Sequence, residues 1–173
     1  MVAAAVILPK DIFIDGVNDS KKLTEKKRII LFEEIKQKAF SYGIGIVDAK
    51  TIDEINILQA TFLAMKKSLE QLSVNPDLVL VDGNRTIPKL QNKQLAIVSG
   101  DAKSACIACA SILAKVTRDN MMYEYAKQYP QYNFQKHKGY GTKAHLDAIK
   151  KYGPCPIHRM TFAPLNLNQM ELI

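Results

Sequence analysis

Two short runs constrain this chain more than any other feature. Leu78-Val79-Leu80-Val81 leads into Asp82-Gly83-Asn84, and Leu95-Ala96-Ile97-Val98 leads into Ser99-Gly100-Asp101-Ala102-Lys103-Ser104. An aliphatic run without polar interruption is the pattern of a strand buried on both faces, as in a sheet covered by helices. Each run is followed by an acid beside a glycine. A carboxylate at the carboxyl end of a buried strand is held rigidly and faces the crevice where open α/β sheets bind ligands. Two such carboxylates on neighbouring strands suit a shared divalent cation.

The remaining chain supplies the other elements of an α/β fold. Val2 to Leu8 reads as a strand stopped by Pro9, and residues 11–23, with Gly16 and a polar cluster at 18–22, read as a loop. Thr24 to Tyr42 predicts a helix with Ile29, Ile30, Phe32, Ile35, Ala39 and Phe40 inward. Gly43 and Gly45 close it, and a short strand follows over residues 44–47. Thr51-Ile52-Asp53-Glu54 has the form of a capping box opening a helix to Leu72, with Ile55, Leu58, Phe62, Met65 and Leu69 inside. Ala102 to Gln128 predicts one long helix, and Thr142 caps a short one ending near Tyr152. Alternating strands and helices imply a mixed or parallel sheet flanked by helices. We expect one domain over residues 1–173: a sheet-and-helix core to residue 128, then a substrate-binding extension of helix and loop over 129–173.

Composition narrows the partners. The chain carries 24 Lys and Arg against 17 Asp and Glu, a formal charge of +7, which suits a polyanion such as nucleic acid. No apolar run approaches the roughly 20 residues that cross a bilayer, and the apolar N-terminus has no basic segment before it. Three cysteines cannot complete a disulfide framework, so a reducing cytoplasm is expected. Cys106 and Cys109 make a C-x-x-C, read as small packing residues of a buried helix because no second ligand pair lies at zinc spacing. Nothing signals an oligomer, and a monomer is expected.

Several residues have both a chemical and a bland reading. Asp82 serves a metal ion or is a turn acid bonded to its own backbone. Asp101 does the same or caps a helix. Lys103 and Ser104 place a cation and a hydroxyl at that helix start, an arrangement suited to a phosphate. Two-metal phosphodiester hydrolysis needs several carboxylates around ions roughly 3.5–4 Å apart, so two acids are necessary and insufficient. Residues 135–142 combine lysines, glycines and Tyr140, the ingredients for gripping phosphates and stacking on a sugar or base. Alternatively they form a basic surface loop. Asn18-Asp19-Ser20-Lys21 is either a solvated turn or a phosphate clamp, and His137 and His158 are given no catalytic role.

These segments, taken together, resemble a known family. Asn18-Asp19-Ser20-Lys21-Lys22-Leu23, Ile55 to Thr61, Val81-Asp82-Gly83-Asn84, Gly100 to Ser104, Ser111 to Asp119, His137 to Thr142 and Pro156-Ile157-His158-Arg159 resemble, in order, the motifs of bacterial ribonuclease HII. The resemblance implies a ribonuclease H-like fold and an endonuclease dependent on Mg2+ or Mn2+. It would cut the RNA strand of RNA–DNA hybrids and incise DNA at embedded ribonucleotides, leaving 3′-hydroxyl and 5′-phosphate ends. By motif, Asp82 and Asp101 match the third and fourth of four catalytic, metal-binding acids. Tyr140 matches the tyrosine that recognises the ribose 2′-hydroxyl, the group that separates RNA from DNA. Lys21, Lys103 and Ser104 match positions near backbone phosphates.

The chain departs from that pattern at its start. The family normally opens with a central strand carrying an Asp-Glu pair and then a Gly-Arg-Gly loop, all ahead of the run read here as Val2 to Leu8. The expectation is therefore a fold lacking its first central strand and two metal-binding acids, with activity impaired or absent. Asp11, Asp15 and Asp19 are not expected to substitute. A hybrid-binding protein without hydrolysis, or an inactive fragment, is the competing expectation.

Overall fold

The computed structural model describes residues 1–17, 23–163, 165 and 166. Its first strand, β1 (Val2–Ile7), is followed by helix α1 (Glu25–Lys38), strand β2 (Ser41–Ile46) and helix α2 (Ala49–Leu69). Strands β3 (Leu78–Asp82) and β4 (Lys93–Ile97) precede a 3-10 turn at Gly100–Ala102 and the long helix α3 (Ala105–Gln128). A second 3-10 turn at Pro130–Tyr132 leads to two short helices, α4 (Phe134–His137) and α5 (Lys143–Tyr152).

The strands form two separate pairs. β1 runs antiparallel to β2, from Val2 opposite Ile46 to Ile7 opposite Ser41. β3 runs parallel to β4, from Leu78 opposite Lys93 to Asp82 opposite Ile97. No ladder joins β1 to β3 among the described residues. Between them lies a cavity of about 520 Å³, walled by Val2 to Leu8 on one side and Leu78 to Asp82 on the other. Met65 and Leu69 of α2 and Ile107 and Ala110 of α3 also line it, so both helices flank one slot.

Packing follows from small residues where helices press on strands. Gly43 and Gly45 face α2 so closely that a Cβ on either would collide with the Ser68 or Ala64 carbonyl. Leu31 and Ile35 of α1 meet Cys109, Ile112, Leu113 and Val116 of α3 in one core cluster. Phe62 of α2 packs on Val79, Val81 and Ile87 in another. The ten-residue β3–β4 connection has no helix, and Gln94 holds it instead: its side chain accepts from the Ile87 amide at 2.7 Å and donates to the Ile87 carbonyl at 3.0 Å.

Several expected details are corrected. Asp48, three residues ahead of the predicted capping box, caps α2 by accepting from the Thr51 amide at 2.8 Å. Asp53 instead ties α2 to the C-terminal segment, accepting from the Met160 and Thr161 amides at 2.7 and 3.0 Å. Leu58 is exposed and Ala60 and Ala64 are buried, because Asn56 at φ 65 kinks α2 and rotates its later face. Leu31, not Ile29 or Ile30, is the buried residue of the first turns of α1. β4 is not buried on both faces: Leu95 is 52% exposed. α3 begins at Ala105, since Ser99 in the left-handed region (φ 55) sets up the 3-10 turn ahead of it. β2 begins earlier than expected, at Ser41.

Candidate active site

The rim of the β3–β4 pair is built by two glycines and two acids. Asp82 ends β3, and Gly83 then turns the chain away at φ +114, a conformation that favours glycine. The Gly83 amide donates to the Ile97 carbonyl at 3.0 Å and prolongs the ladder by one bond. Across the rim, the buried Gly100 amide donates to Asp82 Oδ1 at 2.8 Å. A Cβ at Gly100 would stand 2.6 Å from Ile107 Cδ1 and 3.2 Å from Asp82 Oδ1, so only glycine lets the carboxylate reach that amide. Asp82 thus sits against the 3-10 turn that carries Asp101 as its middle residue. The slot between β1 and β3 opens onto Asp82, which lines it.

Lys103 and Ser104 belong to the same group. The Lys103 ammonium donates to the Val98 carbonyl at 2.7 Å, folded back over the end of β4. Ser104 is the N-cap residue of the 24-residue α3, and its side chain makes no capping bond. Asp101 is therefore not the cap of this helix. Asp82, Asp101, Lys103 and Ser104 are brought together by the β3 terminus and the turn after β4. Lys21 lies outside the described residues.

Tyr140 stands apart from this group, on the loop between α4 and α5. Its ring is 59% exposed. The Arg118 guanidinium packs over the ring at 4.9 Å, while Arg118 Nη2 donates to the Lys138 carbonyl at 2.8 Å. Arg118 Nη1 is buried without a hydrogen-bond partner among the described residues. Arg118 comes from α3, fourteen residues beyond Ser104 or ~21 Å along the axis, so one helix supports both groups. Arg118 and Gly100 are the supporting residues that sequence reasoning left without a role. A glycine before an acid hinted at the second; nothing in the local pattern distinguished the first.

The C-x-x-C reading as packing residues agrees with the geometry. Cys109 is fully buried in the α1–α3 core, and burial, with Cys106 and Glu34 nearby, pushes its thiol up to about 12. Asp11 and Asp15 are exposed and take no part in the rim contacts described above, and Asp19 lies outside the described residues. Among the described residues no group of three or more His, Cys, Asp or Glu side chains is placed to hold a metal ion. Asp82 and Asp101 alone therefore do not fit a two-ion cage. Magnesium takes few protein ligands and keeps much of its water, so two carboxylates would be only part of the set around one ion.

Comparison with known proteins decides the family. The family model described as ribonuclease HII matches residues 1–165. The ribonuclease HII of Endomicrobium trichonymphae is 64% identical over 166 residues, covering 96% of this chain and 79% of that protein. The chain belongs to the ribonuclease HII family. Another ribonuclease HII, from Clostridioides difficile, is 58% identical over 162 residues, which cover 94% of this chain and 63% of its own length. The crystal structure of the ribonuclease H2 from Pyrococcus horikoshii OT3 superposes with a TM-score of 0.72 at 25% identity, over 99% of this chain and 98% of that one. The ribonuclease HII of Archaeoglobus fulgidus, solved in a complex with PCNA, gives 0.65 at 23% identity over 84% and 77% of the two chains. The ribonuclease H-like fold expected from the sequence is thus met. Ribonucleases HII are hydrolases acting on RNA in RNA–DNA hybrids and are generally dependent on divalent metal ions. No helix among the described residues is long and apolar enough to cross a membrane.

Proposed function

We propose that this chain is the substrate-gripping and half-catalytic portion of a ribonuclease HII that cuts RNA in RNA–DNA hybrids and at ribonucleotides embedded in duplex DNA. The observation that carries the reading is the Asp82–Gly100 hydrogen bond at 2.8 Å, which packs one acid against the turn bearing the other at the mouth of the slot. Asp82 and Asp101 serve as metal-binding acids for Mg2+ or Mn2+. That ion supplies Lewis-acid stabilisation of charge on phosphate oxygens when bound. Lys103 and Ser104, with Lys21, hold backbone phosphates, and Tyr140 contacts the ribose. Incision leaves 5′-phosphate and 3′-hydroxyl ends. The cytoplasm is its working compartment and a monomer its working form.

The slot between β1 and β3 is the seat of the strand that carries the family's Asp-Glu pair. Three features support this: two strand edges face it, apolar helix residues line it, and Asp82 stands at its mouth. Without that strand the acid set is incomplete, and the chain alone binds hybrid while hydrolysing it poorly. A non-catalytic hybrid binder is the second reading, favoured by the lack of a third ligand among the described residues. The two readings separate on one experiment. The chain is compared with a form extended ahead of Met1 by a strand ending in Asp-Glu and a Gly-Arg-Gly loop, in Mg2+ and in Mn2+. Metal-ion catalysis is worth several kcal/mol, so the extended form should gain at least about a hundredfold in hybrid cleavage. No gain in a folded extended form would favour the binder.

A further inference from the structure

All three histidines of this chain meet in one place. The His137 and His145 rings stack at 4.3 Å between centroids, and His145 lies 5.2 Å from His158. Phe134 packs against all three at 5.8, 5.5 and 5.6 Å. His137 and His145 are buried. None touches the acid group at the rim in any hydrogen bond or ring contact among the described residues.

Their shorter hydrogen bonds favour one set of neutral tautomers, with the Cys155 carbonyl farther from His158 Nδ1 at 3.3 Å. His145 Nδ1 lies 2.9 Å from the Tyr140 carbonyl, which only accepts, so Nδ1 carries the hydrogen. In the neutral ring Nε2 then accepts, and its partner at 3.0 Å, His158 Nε2, must donate. His158 Nδ1 is left to accept, and the Cys155 amide donates to it at 2.9 Å. The reverse order would set two acceptors against each other at Tyr140. A directed chain therefore runs from the Cys155 amide through two imidazoles to the Tyr140 carbonyl. His137 completes it: Nε2 donates to the Tyr132 carbonyl at 2.7 Å, and Nδ1 accepts from the Gly139 amide at 3.2 Å. The Tyr140 amide in turn donates to the His137 carbonyl at 2.8 Å.

We infer that the His137–His145–His158 stack positions Tyr140, making these histidines determinants of ribose specificity through the backbone they hold. This rests on the reading of Tyr140 as the residue that contacts the ribose. Gly139 takes φ +78 and Lys138 φ 50, so the loop needs outside partners to keep its course. A side chain that is mostly exposed discriminates one hydroxyl only if its backbone is fixed. The imidazoles supply two of the bonds that fix it, at the Tyr140 carbonyl and the Gly139 amide, beside the backbone bond from the Tyr140 amide to the His137 carbonyl.

Protonation is the natural disruption. Each neutral ring accepts at one nitrogen, and a proton there would face an N–H donor. Burial lowers the pKa of both His145 and His158, with neighbouring imidazoles acting in the same direction and backbone carbonyls opposing. The other titratable groups against the stack are the Cys155 thiol, 3.1 Å from His158 Nδ1, and the Tyr132 phenol, whose hydroxyl donates to the Gly153 carbonyl. No carboxylate is among the influences on His145 or His158. A depressed histidine pKa means that the unfolded chain takes up protons first. The contribution is whole above the unfolded value of about 6.5 and is lost as pH falls through it.

The test compares binding of duplex DNA containing one ribonucleotide with binding of the same all-DNA duplex. His145→Ala should reduce that affinity ratio about tenfold, to the level of Tyr140→Ala, with the all-DNA affinity within about twofold of the parent. His145→Asn should restore the ratio, because its amide nitrogen replaces the Nδ1 donor. A folded His145→Ala protein with an unchanged ratio overturns the proposal. The chain has no tryptophan, so Tyr140→Trp gives a lone fluorescent reporter of the loop that needs no nucleic acid. Its anisotropy should fall as pH is lowered from about 7.5 toward the onset of acid unfolding, while the cooperative melt persists. Anisotropy that stays constant up to that onset overturns the proposal even if His145→Ala does not fold. If Tyr140→Ala leaves the ratio unchanged while anisotropy still responds to pH and to His145→Ala, the ribose assignment fails and the positioning stands.

Discussion

At the scale of single residues, the rim turns on an acid and the glycine that receives it. Asp82→Asn keeps the oxygen that accepts from Gly100 while removing the charge a cation needs. We expect cleavage by the extended form to be lost, with hybrid affinity and melting temperature close to the parent. A parallel loss of folding, read by circular dichroism, would mark Asp82 as a structural acid. Gly100→Ala tests the other half of the contact. Its Cβ meets Ile107 Cδ1 at 2.6 Å, so overpacking should cost about 1–3 kcal/mol in a denaturant titration and displace Asp82. The position of Asp82 was legible in the sequence because an apolar strand ending in an acid is a strong local pattern, whereas Asp101 lies in the 3-10 turn four residues beyond β4. Arg118 was not legible, since its role depends on a loop twenty residues away folding back over α3.

Among the elements, helix α2 shows where local pattern misleads. Thr51 and Glu54 have capping-box spacing, yet Asp48 accepts from the Thr51 amide, a bond that holds its carboxyl below the usual range. Asp48→Ala should therefore cost about 1 kcal/mol, a fall in melting temperature of roughly 2–4 °C for a chain of this size, while Glu54→Ala has little effect. Equal losses from both would restore the predicted box. The competition was invisible from spacing because either start satisfies the first turn; packing of Ile52 into the β1–β2 cluster selects one. The strands were placed well and their burial poorly. β4 reads as fully apolar at Leu95 to Val98, but burial on both faces requires an element packed over each face, and Leu95 is left exposed on one of them.

For the molecule as a whole, a charge of +7 and the Lys103, Arg118 and Lys138 cations predict phosphate-dominated binding. Hybrid affinity should fall steeply as salt rises, each neutralised phosphate adding about 0.9 to the negative log–log slope on a duplex. A flat salt dependence would remove nucleic acid as the partner of this surface. Two strand pairs around an apolar slot also make the fold sensitive to what fills it. Unpaired ladder groups are costly when buried, so an added strand should raise the melting temperature as well as activity. The general fold was legible from alternating elements and from motif order, whereas the slot is a property of two strands far apart in sequence. The most direct measurement is the rate of hybrid cleavage by the extended form, with Asp82 intact and with Asp82→Asn, in the same Mg2+ buffer. The account predicts metal-dependent cleavage in the first and none above background in the second; equal rates in the two would contradict it.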